Sequence, residues 1–83
     1  MNQKTLKARK MYRVTETESL YPDYSYHEDY KTHEDAHKRM LEMYHYVAIE
    51  GNPEVIVKSG WYENSAFVEL CDDNTVEWEI TEV

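Results

Sequence analysis

The spacing of the apolar residues changes at Gly51 and Pro53, and this change constrains the fold more than any other feature of the chain. Before it, apolar side chains recur at the three- and four-residue intervals of one helix face. The residues of this stripe are Ala36, Met40, Met43, Tyr44 and Val47. Thr32 is a suitable N-cap residue, and a Gly followed by a Pro ends a helical pattern. The sequence therefore predicts one amphipathic helix over residues 32–50.

After Pro53 the apolar residues alternate with polar ones, which is typical of half-buried strands. This pattern predicts three strands, at Val55–Lys58, Ala66–Cys71 and Thr75–Thr81. A bulge or a turn is expected at Ser59–Gly60, because glycine within a strand pattern often accompanies one of them. Together these segments predict a C-terminal β-meander.

The last two predicted strands are expected to form a hairpin in which Leu70 pairs with Val76. This register places the apolar side chains of both strands on one face. It leaves Asp72–Asn74 as a three-residue loop, in which Asn74 is able to take the left-handed conformation.

The N-terminal half is less regular. Met11–Thr17 alternates and is rich in Tyr, Val and Thr, which predicts a further strand. Leu20–Lys31 has no clear period and is predicted to be a loop or an irregular strand. The expected fold is α+β, in the order β-α-β-β-β, with an antiparallel sheet of three to four strands packed against one helix. Residues 11–83 would form a single domain, and residues 1–10 a basic N-terminal arm.

Charge is distributed very unevenly along the chain, whose net charge is −8. Residues 1–15 contain five basic residues and no acidic one, whereas residues 16–83 contain four basic and seventeen acidic residues. The basic arm is interpreted as a solvated tail or a segment lying on the acidic body, with contact to RNA or a membrane as the alternative. The acidic body is not expected to bind nucleic acid directly, because phosphate contacts require Lys and Arg.

The C-terminal hairpin is acidic without any counter-charge, since residues 59–83 contain no Lys or Arg. The predicted register puts Glu69 opposite Glu77 on the outer face, with Glu79 beside Phe67. Like charges facing each other across strands are destabilising. The acids either keep the protein soluble and protect edge strands, or form a surface that imitates phosphates and binds a basic groove on a partner. The residues predicted to form this contact are Glu63, Glu69, Asp72, Asp73, Glu77 and Glu79.

The stretch YPDYSYHEDY supplies a second candidate contact, because tyrosine gives a large contact area at low entropic cost. The alternative is that its tyrosines simply cover a small core. The residues of this second predicted patch are Asp23, Tyr24, Tyr26, Glu28 and Asp29.

The residues His33, Glu34 and His37 match the H-E-x-x-H pattern of zinc hydrolases. The motif lies in the first helical turn and lacks an obvious third ligand, so a solvated helix face is preferred over a zinc site. We expect no catalytic residue, no metal and no cofactor. The single Cys71 predicts a cytoplasmic protein. The absence of a long apolar run predicts that the chain has no membrane-spanning segment.

In size, acidity and tyrosine content the chain resembles small α+β proteins encoded by bacteriophages, among them anti-CRISPR and anti-restriction proteins. The resemblance rests on the acidic hairpin Glu63–Val83 and on YPDYSYHEDY. It implies a non-enzymatic inhibitor in the host cytoplasm that blocks the nucleic-acid path of a basic host protein, with a CRISPR nuclease as one candidate. The alternatives are a general interaction or regulatory module, including a homodimer, and a zinc-dependent hydrolase.

Overall fold

One helix packs against an antiparallel, open sheet of five strands in the computed structural model, which describes residues 10–51 and 53–83. The elements are β1 (Tyr12–Glu18), β2 (Tyr21–Tyr30), α1 (His33–Ala48), a short 3₁₀ turn (Pro53–Val55), β3 (Ile56–Trp61), β4 (Ser65–Leu70) and β5 (Thr75–Glu82). The predicted α+β class is confirmed. Of the predicted N-terminal arm, all but Lys10 lies outside the described residues.

The sheet has one strand more than the three to four predicted, and its order is β2-β1-β5-β4-β3. The additional strand is β2, which contains the tyrosine-rich stretch. It pairs with β1, and the first pair of the ladder is Tyr12 opposite Tyr30. The alternation of apolar and polar residues is hard to recognise in β2, because tyrosines and charged residues lie on the same face. Pro22 is compatible with a strand here, because β2 lies at the sheet edge and one side of it needs no backbone donor.

The helix forms where its capping residues predict it. The Oγ1 of Thr32 accepts a hydrogen bond from the Asp35 backbone N–H at 3.1 Å, which satisfies one free donor of the first turn. Ala36, Met40 and Tyr44 form the buried face of α1. The helix ends at Ala48, two residues earlier than predicted. Within the described residues, no helix is both long and apolar enough to cross a membrane.

The core lies between this helix face and the inner face of the sheet. Val14 and Val68 are fully buried, and Trp78 is 1% exposed. The Trp78 ring meets Tyr44 edge-on, with centroids 6.2 Å apart. These three strand residues come from β1, β4 and β5, so the core is centred on the three middle strands.

The β4–β5 hairpin has a different register from the predicted one. Val68 pairs with Val76, two residues from the predicted partner Trp78. The left-handed residue is Asp73, at φ 72°, instead of Asn74. A shift of two residues preserves the alternation, so the predicted apolar residues still face the core.

Ser59 and Gly60 form neither the predicted bulge nor a turn, since β3 continues through them and its bulge lies earlier, between Ile56 and Lys58. Gly60 instead pairs with Phe67 in a regular ladder. The Phe67 ring carbon Cε1 comes within 3.3 Å of the position that a Cβ would occupy at Gly60. The glycine therefore makes room for an aromatic ring from the neighbouring strand, which explains it without a local kink.

Candidate protein-binding surface

The sheet has one face covered by α1 and one face that no other described element covers. We call the second the outer face, and it is formed by the alternate residues of each strand that point away from the core. On the three middle strands these residues are Arg13, Thr15, Thr17, Ser65, Phe67, Glu69, Thr75, Glu77, Glu79 and Thr81.

Glu77 and Glu79 lie at the centre of the outer face, on the middle strand of the sheet. Both are exposed, and within the described residues neither carboxylate accepts a hydrogen bond or pairs with a cation. Two residues along a strand correspond to about 6.8 Å, so the charges are close but not in contact. They border a shallow depression of about 310 Å³, whose other outer-face residues are Thr15, Thr17, Ser65 and Phe67. The depression offers two free carboxylates and three hydroxyls to a cationic side chain.

The predicted opposition of Glu69 and Glu77 is wrong. Glu69 pairs in register with Thr75 on one side and Lys58 on the other, while Glu77 lies opposite Phe67. The sequence argument considered only residues 59–83, and the balancing cations come from outside this segment. On the outer face Lys58 faces Glu69 from β3. Lys10 lies 3.6 Å from Glu82, which alternates to the helix side of β5 with Trp78 and Ile80. The acidity of the outer face is therefore concentrated at Glu77 and Glu79.

The turn residues Asp72 and Asp73 lie at one end of the hairpin, and Glu63 lies in the β3–β4 turn at the opposite end of β4. Asp72 has a structural contact, since its Oδ1 accepts a hydrogen bond from the Asn74 backbone N–H at 2.9 Å. The turns are exposed, but they do not join Glu77 and Glu79 in one continuous patch. The residues predicted to form one acidic contact surface therefore lie in three separate places: the centre of the outer face and the turns at the two ends of β4.

The residues of the second predicted patch also do not lie together, because successive residues of β2 point to opposite faces of the sheet. Arg13 donates from Nε to Asp29 Oδ1 at 2.8 Å on the outer face, and the ion pair lowers the pKa of Asp29. Glu28 points to the helix side, where Arg39, Tyr26 and Tyr30 all donate to its carboxylate.

These donors lower the pKa of Glu28 to about 2, with the Arg39 hydrogen bond as the largest cause. Glu28 is therefore part of the internal structure and not a free contact residue. Tyr24 and Tyr26 also line the helix side, whereas exposed Asp23 lies in the irregular part of β2 near its pairing with Glu18.

The two histidines of the H-E-x-x-H pattern attach the helix to the β3–β4 turn. His37 Nδ1 donates to the Glu63 carbonyl at 2.8 Å, and His33 Nε2 donates to Asn64 Oδ1 at 2.5 Å. Their rings are stacked with centroids 6.1 Å apart, and His37 also meets Trp61 edge-on. In the described part of the chain, no three potential ligands come together as a metal site. The hydrogen bonds to the turn therefore give His33 and His37 a structural role.

A third feature lies on the helix side and was not predicted. Between α1 and the β1–β2 hairpin runs a groove of about 550 Å³, which we call the tyrosine groove. Its lining residues are Glu16, Tyr24, Tyr26, Arg39, Glu42, Met43, Tyr46, Val47 and Glu50. The available signal was the helical spacing of Glu42, Tyr46 and Glu50, four residues apart each time. This spacing marks only the helix wall, and the other wall exists because Tyr21–Tyr30 is a strand.

No protein-family model, curated protein or solved structure matches this chain. The function is therefore inferred from the surfaces themselves.

Proposed function

We propose that this protein is a non-enzymatic inhibitor of the kind that bacteriophages encode. It binds a basic, nucleic-acid-binding protein in the bacterial cytoplasm, a CRISPR nuclease being the candidate, and blocks the path of the nucleic acid. The observation that carries the proposal concerns Glu77 and Glu79, at the centre of the outer face. Within residues 10–51 and 53–83, their carboxylates have no partner and no element covers this face.

The chemistry of this face favours a cationic partner. A groove that binds phosphates presents Lys and Arg side chains, and these pair equally well with fixed carboxylates. The depression beside Glu77 and Glu79 admits the end of one such side chain, and the threonine hydroxyls around it can accept further N–H donors. The net charge of −8 adds long-range attraction, which speeds association with a basic surface.

A purely solubilising role would not require this position. Charges that protect a sheet from aggregation are most useful on the edge strands, β2 and β3. Glu77 and Glu79 instead occupy β5, whose two backbone edges are already paired. Their position is better explained by contact with a partner across the flat outer face.

The test begins with capture of the partner from a bacterial lysate and its identification, followed by assays with the purified partner. Wild-type protein is expected to displace nucleic acid from the partner, and the complex is expected to weaken steeply as salt increases. The variant Glu77→Lys/Glu79→Lys should lose inhibition. A matched control, Glu34→Lys/Glu82→Lys, changes the net charge equally away from the outer-face depression and should retain it. Full inhibition by the first variant, or equal loss in both, would refute the proposal.

A second candidate is a homodimeric interaction module, favoured by the two open edges of the sheet. β2 and β3 each have only one neighbouring strand within the described residues. The ten-residue β2 offers the longer row of unpaired backbone groups to a second copy. Sedimentation at low and high salt separates the candidates, because a dimer formed by strand pairing would persist at high salt, whereas the heteromeric complex would dissociate.

A further inference from the structure

The tyrosine groove lies on the opposite side of the sheet from Glu77 and Glu79 and forms a separate surface. Helix α1 provides one wall, which includes Met43 and Tyr46, and the β1–β2 hairpin provides the other. The three tyrosines that line it are all exposed: Tyr24 at 38%, Tyr26 at 43% and Tyr46 at 70%. Aromatic rings exposed on two facing walls can stack on a flat group placed between them.

Glu16 lies in this groove in a fixed position. Its Oε1 accepts from the indole Nε1 of buried Trp78 at 2.7 Å, and its Oε2 accepts from the Tyr24 hydroxyl at 2.5 Å. The hydrogen bond to Glu16 is also the main reason that the pKa of Tyr24 is raised to about 12, so this hydroxyl stays protonated and keeps donating. Each carboxylate oxygen retains a second lone pair that can accept from another donor.

The negative charge of the groove exceeds its positive charge. Glu16, Glu42 and Glu50 line it, and Arg39 is the only cation among the lining residues that the structure describes. Arg39 is already paired with Glu28 and Glu42. Within the described residues, Glu16 and Glu50 have no cationic partner.

Arg39 also illustrates how this protein holds a guanidinium group. Its nitrogens donate to Glu28, and the hydroxyls of Tyr26 and Tyr30 complete the hydrogen bonding of the same carboxylate. The tyrosine groove combines the same two residue types, with Glu16 and Tyr24 in hydrogen-bond contact and Tyr46 on the facing wall.

We propose that the tyrosine groove binds an arginine side chain from an exposed segment of a partner protein. The guanidinium group stacks between the tyrosine rings and donates to the carboxylates of Glu16 and Glu50. Arginine is preferred to lysine, because its planar fork matches a carboxylate and stacks on aromatic rings. This inference does not rest on the proposed function, because the residues that line the groove differ from those that line the outer-face depression.

Trp78 provides a direct spectroscopic test, since its indole N–H donates to Glu16 at one end of the groove. The protein is labelled with ¹⁵N and titrated with a blocked Gly-Arg-Gly peptide. The Trp78 indole signal is expected to shift in a saturable manner. The Trp61 indole lies on the far edge strand and should not move. A peptide with citrulline, which has the shape of arginine without its charge, should produce no shift, and a lysine peptide should bind more weakly.

Two variants make the test specific. Tyr46→Ala/Glu50→Gln removes an exposed ring and a charge from the groove and should weaken binding of the arginine peptide about fivefold or more. Tyr62→Ala/Glu63→Gln removes the same groups from the β3–β4 side and should bind like the wild type. Glu77→Lys/Glu79→Lys should also leave the Trp78 titration unchanged, which separates this inference from the proposed function.

Three outcomes would overturn the proposal. The first is no shift of Trp78, or an equal shift with the citrulline peptide. The second is a shift of Trp78 on dilution of the protein alone, which would assign the groove to a second copy of the chain. The third is a shift of Trp78 without peptide in a Lys4→Gln/Lys7→Gln/Arg9→Gln variant, which would assign it to the protein's own basic segment.

Discussion

Arg39 of the helix donates from Nε to Glu28 of edge strand β2 at 2.9 Å, and this ion pair fastens α1 to the edge of the sheet. Tyr26 and Tyr30, on the same strand, donate to the same carboxylate. The Glu28 side chain is only 21% exposed, so solvent screens the pair less than an ordinary surface contact. An edge strand with few apolar contacts thus gains a polar attachment to the helix.

The first prediction concerns stability at acidic pH. The pKa of Glu28 falls from its ordinary value of 4.5 to about 2 in the folded protein. A lowered pKa stabilises the folded state above the unfolded-state value and loses that effect as pH falls. We therefore expect stability to decrease by on the order of 2–3 kcal/mol between about pH 5 and pH 2 because of this group. Urea unfolding at several pH values measures the decrease.

Glu28→Gln should be less stable than the wild type at neutral pH and should lose this part of the acid dependence. Glu42→Gln serves as the control. It also removes a carboxylate partner of Arg39, but one whose side chain is 55% exposed, so its effect should be small. If both variants retain the acid dependence of the wild type, then Glu28 is not its cause.

The helix and the faces of the last hairpin could be predicted because local chemistry determines them. Thr32 provides a cap for its own turn, and alternation assigns Ala66 and Trp78 to the core in either hairpin register. The register itself could not be predicted, because it depends on whether Asp73 or Asn74 adopts the left-handed conformation. Both residue types tolerate this conformation, so the local sequence does not decide between them. In the structure Asp73 adopts it, and the Asn74 side chain bonds to Glu18 and Leu20 of the β1–β2 turn.

The candidate surfaces were less predictable because they depend on pairs far apart in sequence. The predicted register places Glu69 opposite Glu77, whereas in the structure Lys58 faces Glu69 across β3 and β4. The sequence predicts Glu28 as a contact residue, whereas in the structure it accepts a hydrogen bond from Arg39, eleven residues away. The tyrosine groove needs both a strand and a helix to be placed before its two walls can be recognised.

The second prediction concerns Asn74, which is 4% exposed and joins the β4–β5 turn to the β1–β2 turn. Its Nδ2 donates to Glu18 and its Oδ1 accepts from the Leu20 backbone N–H, both at 3.0 Å. Asn74→Ala removes both bonds and should lower the free energy of unfolding by about 1–3 kcal/mol. Asn74→Asp keeps the acceptor but places a carboxylate against Glu18, so it should be partly rescued at low pH. Thermal unfolding of both variants checks this, and an unchanged melting temperature would contradict it.

The third prediction uses the positive φ of Asp73, 72°. Glycine adopts this conformation without a steric penalty, whereas an L-residue with a Cβ does not. Asp73→Gly should therefore stabilise the protein by about 0.5–1 kcal/mol. The neighbouring variant Asp72→Gly should destabilise it, since it loses the hydrogen bond from the Asn74 N–H. Equal effects of the two substitutions would show that the turn conformation is not the cause.

The fourth prediction tests the histidines against the zinc hypothesis. His37 donates to the Glu63 carbonyl and packs on Trp61, so His37→Ala should lower the free energy of unfolding by about 1 kcal/mol. This loss should be the same with and without a chelator. Stabilisation of the wild type by added zinc, absent from the variant, would instead support a metal role for His33 and His37.

The last prediction separates fold from function on the outer face. Glu77 and Glu79 have no partner among the described residues, and each adds to a net negative charge. Glu77→Gln/Glu79→Gln should therefore leave the free energy of unfolding within about 0.5 kcal/mol of the wild type, or slightly raise it. The same variant should bind the basic partner more weakly and with a shallower dependence on salt, because fewer charge pairs form. A large loss of stability would mean that the two carboxylates are needed by the fold, and the argument for a contact surface at this position would fail.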